Sequence, residues 1–192
     1  MSRVTGLLLA AGAGRRMGGP KALLRTADGT SWVAAARAAL VDGGCDDVVV
    51  VLGAEAEAVS ALVEEARVVV ADDWECGMGA SLAAGLAALE AEPADAALVH
   101  LVDLPDVAAG VVARVLARAT GRAVLARAAY HGRPGHPVLL GRDHWPALAE
   151  GDGDEGARGY LAVHDVELIE CGDLATGLDK DRPEDLDPRL AP

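Results

Sequence analysis

Phenylalanine is absent from this chain of 192 residues, lysine occurs only twice and cysteine only three times. The missing Phe goes with abundant Ala and Arg, reads as a GC-rich coding bias and carries little chemistry. Cys45, Cys76 and Cys171 are odd in number and widely spaced, with no Cys-x-x-Cys. That excludes a disulfide framework or a thiolate zinc site, and predicts reduced thiols in a cytoplasmic protein. Apolar residues make up 52% of the chain, yet no uninterrupted run reaches the ~20 residues of a membrane span. Only Arg3 precedes the small and apolar residues 4–13, and paired arginines follow them, which is unlike a cleaved signal peptide. The net charge of −13 leaves no basic face for DNA or RNA phosphates. The length suits one domain over residues 1–192, with a full core and no room for a second catalytic domain.

Against that acidic background, residues 1–25 hold Arg3, Arg15, Arg16, Lys21 and Arg25 and no Asp or Glu. Lys21 closes a glycine-rich loop, Gly12-Ala13-Gly14-Arg15-Arg16-Met17-Gly18-Gly19-Pro20-Lys21, directly after an apolar run. With fifteen arginines available, a surface cation would more often be Arg, whereas a phosphate site uses the compact charge of an ammonium. Backbone N–H groups, two guanidinium groups and one ammonium in so short a span make a polyphosphate cradle. The loop is not a Walker A motif, because Pro20 displaces the lysine and Ala22 stands where Ser or Thr belongs. It also misses the dinucleotide fingerprint, since Met17 occupies the position of the third glycine.

Strand and helix patterns alternate. Val4 to Ala10, Val48 to Leu52, Arg67 to Ala71 and Ala96 to Val102 read as buried strands, and Ala123 to Ala126 and Val166 to Glu170 as further extended segments. Helices are expected over Trp32 to Leu40, Ala54 to Glu65, Ser81 to Glu90 and Val107 to Ala119, with hairpin-like structure over Tyr130 to Leu140. This rhythm predicts an α/β fold: a doubly wound, mostly parallel sheet with helices on both faces, Rossmann-like.

In such a sheet, ligands sit beyond the carboxyl ends of the strands. Asp103 falls there, before Leu104-Pro105. It reads as a metal ligand or as a cap on the next helix; a phosphate loop at the same edge favours Mg²⁺, which takes one or two carboxylates plus substrate phosphates. The acidic run Asp179-Lys180-Asp181-Arg182-Pro183-Glu184-Asp185 reads, by itself, as a solvated turn opening a short helix. His136, between Pro134 and Pro137, is a structural residue or a cleft residue.

Taken together, Leu9-Ala10-Ala11-Gly12, Arg16-Met17-Gly18-Gly19-Pro20-Lys21, Asp73 through Leu82, Asp103-Leu104-Pro105, Gly135 through Leu139, Gly151-Asp152 through Gly156-Ala157-Arg158 and Asp179 through Asp185 resemble the MobA-like nucleotidyltransferase superfamily. Its molybdenum cofactor cytidylyltransferases are the most similar members. Three departures stand out: Gly14 for the usual Ser, Leu104 for Gln after the metal Asp, and Arg182 for Thr.

The resemblance implies nucleotidyl transfer: CMP passes from CTP to the phosphate of molybdopterin or another phosphorylated acceptor, releasing pyrophosphate. It implies Arg16, Lys21 and Asp103 as catalytic residues, and Asp103 with Asp179 or Asp181 as ligands of Mg²⁺. Leu9, Ala10, Ala11, Gly12, Gly14, Arg15, Arg16, Lys21, Asp72, Gly77 and Ser81 are the implied nucleotide-binding residues, and His136 the acceptor-binding one. The extra methyl of Ala11, where guanylyl-transferring members carry Gly, would exclude the larger purine. A molybdoenzyme or its chaperone enters as the protein partner; nucleic acid and membrane do not. Two other readings stay open: a nicotine-blue-type oxidoreductase using reduced nicotinamide and a flavin on the same fold, and a non-catalytic nucleotide sensor.

Overall fold

A computed structural model describes residues 2–63, 66–150 and 156–185 of the chain. Val4–Leu9 forms β1, and all six of its residues are buried. A strand apolar on both sides needs neighbours on both edges and cover on both faces. β1 has parallel neighbours in β2 (Asp47–Leu52) and β4 (Ala96–Leu101), and β3 (Arg67–Val70) pairs parallel with β2. β5 (Leu125–Tyr130), β6 (Arg133–Gly141) and β7 (Glu167–Glu170) complete a seven-stranded sheet in the order β3-β2-β1-β4-β6-β5-β7. Only β6 runs antiparallel, against both β4 and β5, so the expected doubly wound, mostly parallel sheet is the one observed.

One face packs Leu8, Val50, Leu98 and Leu139 under α1 (Trp32–Asp42), α2 (Ala56–Ser60) and α4 (Ala109–Leu116). The other packs Leu7, Val49, Val99 and Leu140 under α3 (Met78–Leu89), α5 (Trp145–Ala149) and α6 (Arg158–Ala162). α1 begins at Ser31, whose hydroxyl accepts from Ala34 N at 3.3 Å, the N-cap role that Ser favours. It ends at Gly43, where a Cβ would stand 2.3 Å from Val112 Cγ1 on α4, so only glycine permits the approach.

The expected helix over Ala54 to Glu65 contracts to Ala56–Ser60, because Val59 is the only residue it buries; Glu64 and Glu65 lie outside the described residues. The extended segment expected at Ala123 to Ala126 starts at Leu125 and runs on to Tyr130. There the chain reverses through His131 and Gly132, both at positive φ (52° and 77°), as in a type I′ hairpin turn. Glu170 on β7 locks that turn, its carboxylate accepting from His131 N at 2.9 Å and Gly132 N at 3.0 Å. No helix among the described residues is long and apolar enough to cross a membrane.

Candidate functional site

Chain direction splits at β1: β2 and β3 lie to one side of it and β4 to the other. A crevice opens where the sheet order reverses, outside the carboxyl ends of the two diverging strands. Here it is a cleft of about 520 Å³. Its floor is the loop leaving β1, tied to both neighbours: Ala10 N donates to Val51 O at 2.9 Å, and Val102 N to Leu9 O at 3.2 Å.

The loop from Gly12 to Lys21 curls on itself. Gly14 sits at φ +56°, and its carbonyl accepts from Met17 N at 2.8 Å and Gly19 N at 3.2 Å. A Cβ at Gly14 would stand 1.9 Å from Gly19 O. The curl carries Lys21 back over the end of β4. Lys21 Nζ donates to Asp103 Oδ2 at 2.9 Å and also to Asp181 Oδ1, while Arg16 Nη1 donates to Asp181 Oδ2 at 3.1 Å.

Asp181 arrives from far along the chain because its segment is pinned at several points. Lys180 N donates to Asp103 O at 3.0 Å and Thr176 N to Asp106 Oδ2 at 2.7 Å. Asp185 Oδ2 accepts from Asp181 N at 3.0 Å and Arg182 N at 2.9 Å.

Burial opposes the ammonium of Lys21, but the hydrogen bonds to Asp181 and Asp103 and their charges outweigh it and raise its pKa. The Lys21 hydrogen bond, with the charges of Lys21 and Arg16 behind it, holds the Asp181 carboxyl below the usual range. Asp103 Oδ1 is buried with no hydrogen-bond partner among the described residues. An orphaned carboxylate oxygen beside a second carboxylate is a donor set that suits a hard divalent cation, with phosphate oxygens completing its shell.

Leu9, Ala10, Ala11, Gly12, Gly14, Arg15, Arg16, Lys21, Gly77, Ser81, Asp103 and Asp181 all line this cleft. Three of the sequence candidates do not. Asp72 is exposed beyond β3, and Asp179 is exposed two residues before Asp181. Residues two apart on a regular strand share a side, so the split between Asp179 and Asp181 comes from the irregular coil there, pinned through Asp106 and Asp185. His136 lies instead beside His100 and Arg127. Burial, then Arg127, then His100 push its pKa down to about 3, so its ring is neutral.

Trp74, Glu75 and Met78 line the cleft as well, although no single-residue pattern marked them. Trp74 leans on Gly53, where a Cβ would stand 2.5 Å from Trp74 Cγ and 2.8 Å from Ala11 O. The legible signal was the company they keep, the Asp73 to Leu82 stretch that leads into α3.

Comparison with known proteins settles the family. The model of the MobA-like NTP transferase domain matches residues 6–168. The chain belongs to that family. MobA-like relatives differ in their recorded activities. A protein from Paenarthrobacter nicotinovorans called nicotine blue oxidoreductase is 45% identical, the match covering 95% of this chain and 94% of that one. A homologue of Rv0371c from Mycobacterium sp. strain JC1 is similar in structure, with 33% identity, TM-score 0.80, and 95% and 92% of the two chains covered. Rv0371c of Mycobacterium tuberculosis H37Rv, solved in complex with manganese, shows 28% identity and TM-score 0.76 over 93% of this chain and 94% of that one.

Proposed function

We propose that this MobA-like chain is, over its whole length, a divalent-metal-dependent nucleotidyltransferase, with CTP as donor and a phosphorylated acceptor such as molybdopterin. The observation that carries the reading is the convergence of Lys21, Asp103, Asp181 and Arg16 on one cleft at the strand ends. A phosphate acceptor is already ionised at neutral pH, so the reaction needs positioning and charge neutralisation rather than a general base. An acceptor phosphate oxygen bonds to the α-phosphorus in line. The bond from that phosphorus to the bridging oxygen breaks, and pyrophosphate leaves with the electron pair.

Asp103 and Asp181 would hold Mg²⁺, and the manganese complex of a relative supports a divalent site. When bound, the ion supplies charge neutralisation and Lewis acidity at the phosphate oxygens. Lys21 and Arg16 stabilise charge on the triphosphate and on departing pyrophosphate. The backbone from Leu9 to Gly12 takes the nucleoside, with Gly77 and Ser81 on the facing wall, and Ala11 favours a pyrimidine over a purine. Incubation with CTP, Mg²⁺ and molybdopterin tests this: pyrophosphate release and a cytidylylated product are expected, and GTP is a poor substitute.

A second reading has one specific observation behind it, the 45% identity to nicotine blue oxidoreductase. It would turn the same cleft to a nicotinamide and a flavin. The cationic, carboxylate-lined cleft and the broken dinucleotide fingerprint favour the transferase. NADPH oxidation by a protein that ignores every nucleoside triphosphate would favour the oxidoreductase.

A further inference from the structure

Asp181 reaches the cleft on a segment that has neither helix nor strand between Glu170 and Pro183. Fixing a coil residue costs about 1–2 kcal/mol of backbone entropy. An acid set against both Lys21 and Arg16 therefore needs contacts that hold its segment down. Hydrogen bonds supply two of them. Thr176 N and Oγ1 both donate to Asp106 Oδ2, and Lys180 N donates to Asp103 O. Gly177 lies between these two pins.

Gly177 sits at φ +63°, a conformation that favours glycine. A Cβ there would overlap Tyr130 Cδ2 and Cε2, and a Cβ at Gly135 would stand 2.7 Å from the same Cε2. Two bare backbones thus leave room for one ring. Tyr130 closes β5 and is buried in the same apolar cluster as Ile169 and Cys171. Its backbone is in register with Arg133 of β6, and its hydroxyl donates to His136 O at 2.7 Å. Both ends of the residue are tied to that strand. Burial raises the pKa of the phenol, so it stays a donor. The ring does not line the cleft, and what it touches on the Asp181 segment is the backbone at Gly177.

We propose that Tyr130 is a positioning residue for Asp181: its rigid ring seats Gly177 between the Asp106 and Asp103 pins, and so sets the depth at which Asp181 meets Lys21 and a divalent ion. The effect on the ion rests on the transferase reading; the seating of the segment does not. A shorter side chain at 130 would leave a gap under Gly177, and a side chain at 177 would lift the segment off the ring.

The test compares full-length Tyr130→Phe, Tyr130→Leu and Gly177→Ala with the parent by two readouts. The first is hydrogen exchange, by nuclear magnetic resonance, of the Lys180 amide that donates to Asp103 O. It should quicken about tenfold in Tyr130→Leu and in Gly177→Ala, the scale of one lost contact in local opening, while the amides of β1 and β4 stay protected. The second is Mn²⁺ affinity in the presence of CTP, read by electron paramagnetic resonance. It should weaken about tenfold or more in the same two variants, the usual cost of disturbing a residue behind a metal ligand. Tyr130→Phe keeps the ring and should match the parent in both. Gly177→Ala changes only surface coil, so the test holds even where the core change in Tyr130→Leu unfolds the protein. Parental exchange at Lys180 in the folded variants would overturn the proposal, and so would faster exchange with parental Mn²⁺ affinity. Faster exchange in a protein whose parent binds no Mn²⁺ would uphold the seating of Asp181 and sink the metal reading instead.

Discussion

Lys21 Nζ lies 2.9 Å from Asp103 Oδ2, joining the loop after β1 to the end of β4 across 82 positions of sequence. Both side chains are mostly enclosed, with 13% and 21% of their surface exposed. A half-buried cation between two carboxylates is held firmly only while all three partners are present, since a lone survivor is left uncompensated. Phosphate and a divalent ion entering the cleft can divide these partners, the ion taking the carboxylates and the phosphate taking the ammonium.

Lys21→Ala should therefore lower the transferase rate by about 10²- to 10³-fold, the usual scale for removing one charge-stabilising donor. Circular dichroism should show the fold retained. Lys21→Arg should fail to restore the rate, because a planar fork does not fit where a compact ammonium meets two carboxylates. A folded Lys21→Ala protein with parental turnover would remove the cradle from the mechanism.

Asp103→Asn should abolish Mn²⁺ binding read by electron paramagnetic resonance, in the presence of CTP. Asp179→Asn should leave it unchanged, because Asp179 is exposed outside the cleft. Equal loss in both variants would transfer the second ligand from Asp181 to Asp179.

Gly14→Ala should cost nucleotide affinity more than stability. The new Cβ would collide with Gly19 O and the backbone would be held at φ +56°, a conformation that costs a non-glycine residue about 1 kcal/mol or more. The strain falls in the loop rather than the core, so the melting temperature should move little while CTP affinity drops at least several-fold.

His100 is fully buried on β4, and neither ring nitrogen has a partner among the described residues. Burial pushes its pKa from 6.5 down to about 4. The folded state therefore holds it neutral, while the unfolded chain takes up a proton below pH 6.5. The contribution is fully present above that value and is lost as pH falls toward 4, on the order of 1 kcal/mol per pH unit. His136 acts in the same direction. His100→Leu should flatten the acid limb of the stability curve, and should be neutral or stabilising near pH 7, because no hydrogen bond is broken and two unpaired nitrogens are removed. Urea denaturation between pH 4.5 and 7.5 would show it, and an unchanged slope would contradict the assignment.

Much of this molecule was legible from periodicity. β1, β2 and β4 were apolar runs buried on both faces, with β3 a half-buried edge strand beside them, and their order along the chain required crossover helices. α5 and α6 were not legible, since each is five residues long and rests on one or two buried side chains such as Trp145 and Leu161. The Lys21–Asp103 half of the site followed from strand ends, which the sequence marks with glycine and proline. The choice of Asp181 over Asp179 did not, because it depends on how a coil segment is pinned by Asp106 and Asp185.

The most direct test of the central claim is calorimetric titration of each nucleoside triphosphate, with and without Mg²⁺, alongside NADPH and FMN. The account predicts Mg²⁺-dependent binding with CTP preferred over GTP, weakened in Lys21→Ala and in Asp103→Asn. Binding of NADPH or FMN, with no response to any nucleoside triphosphate, would contradict it and assign the cleft to redox chemistry.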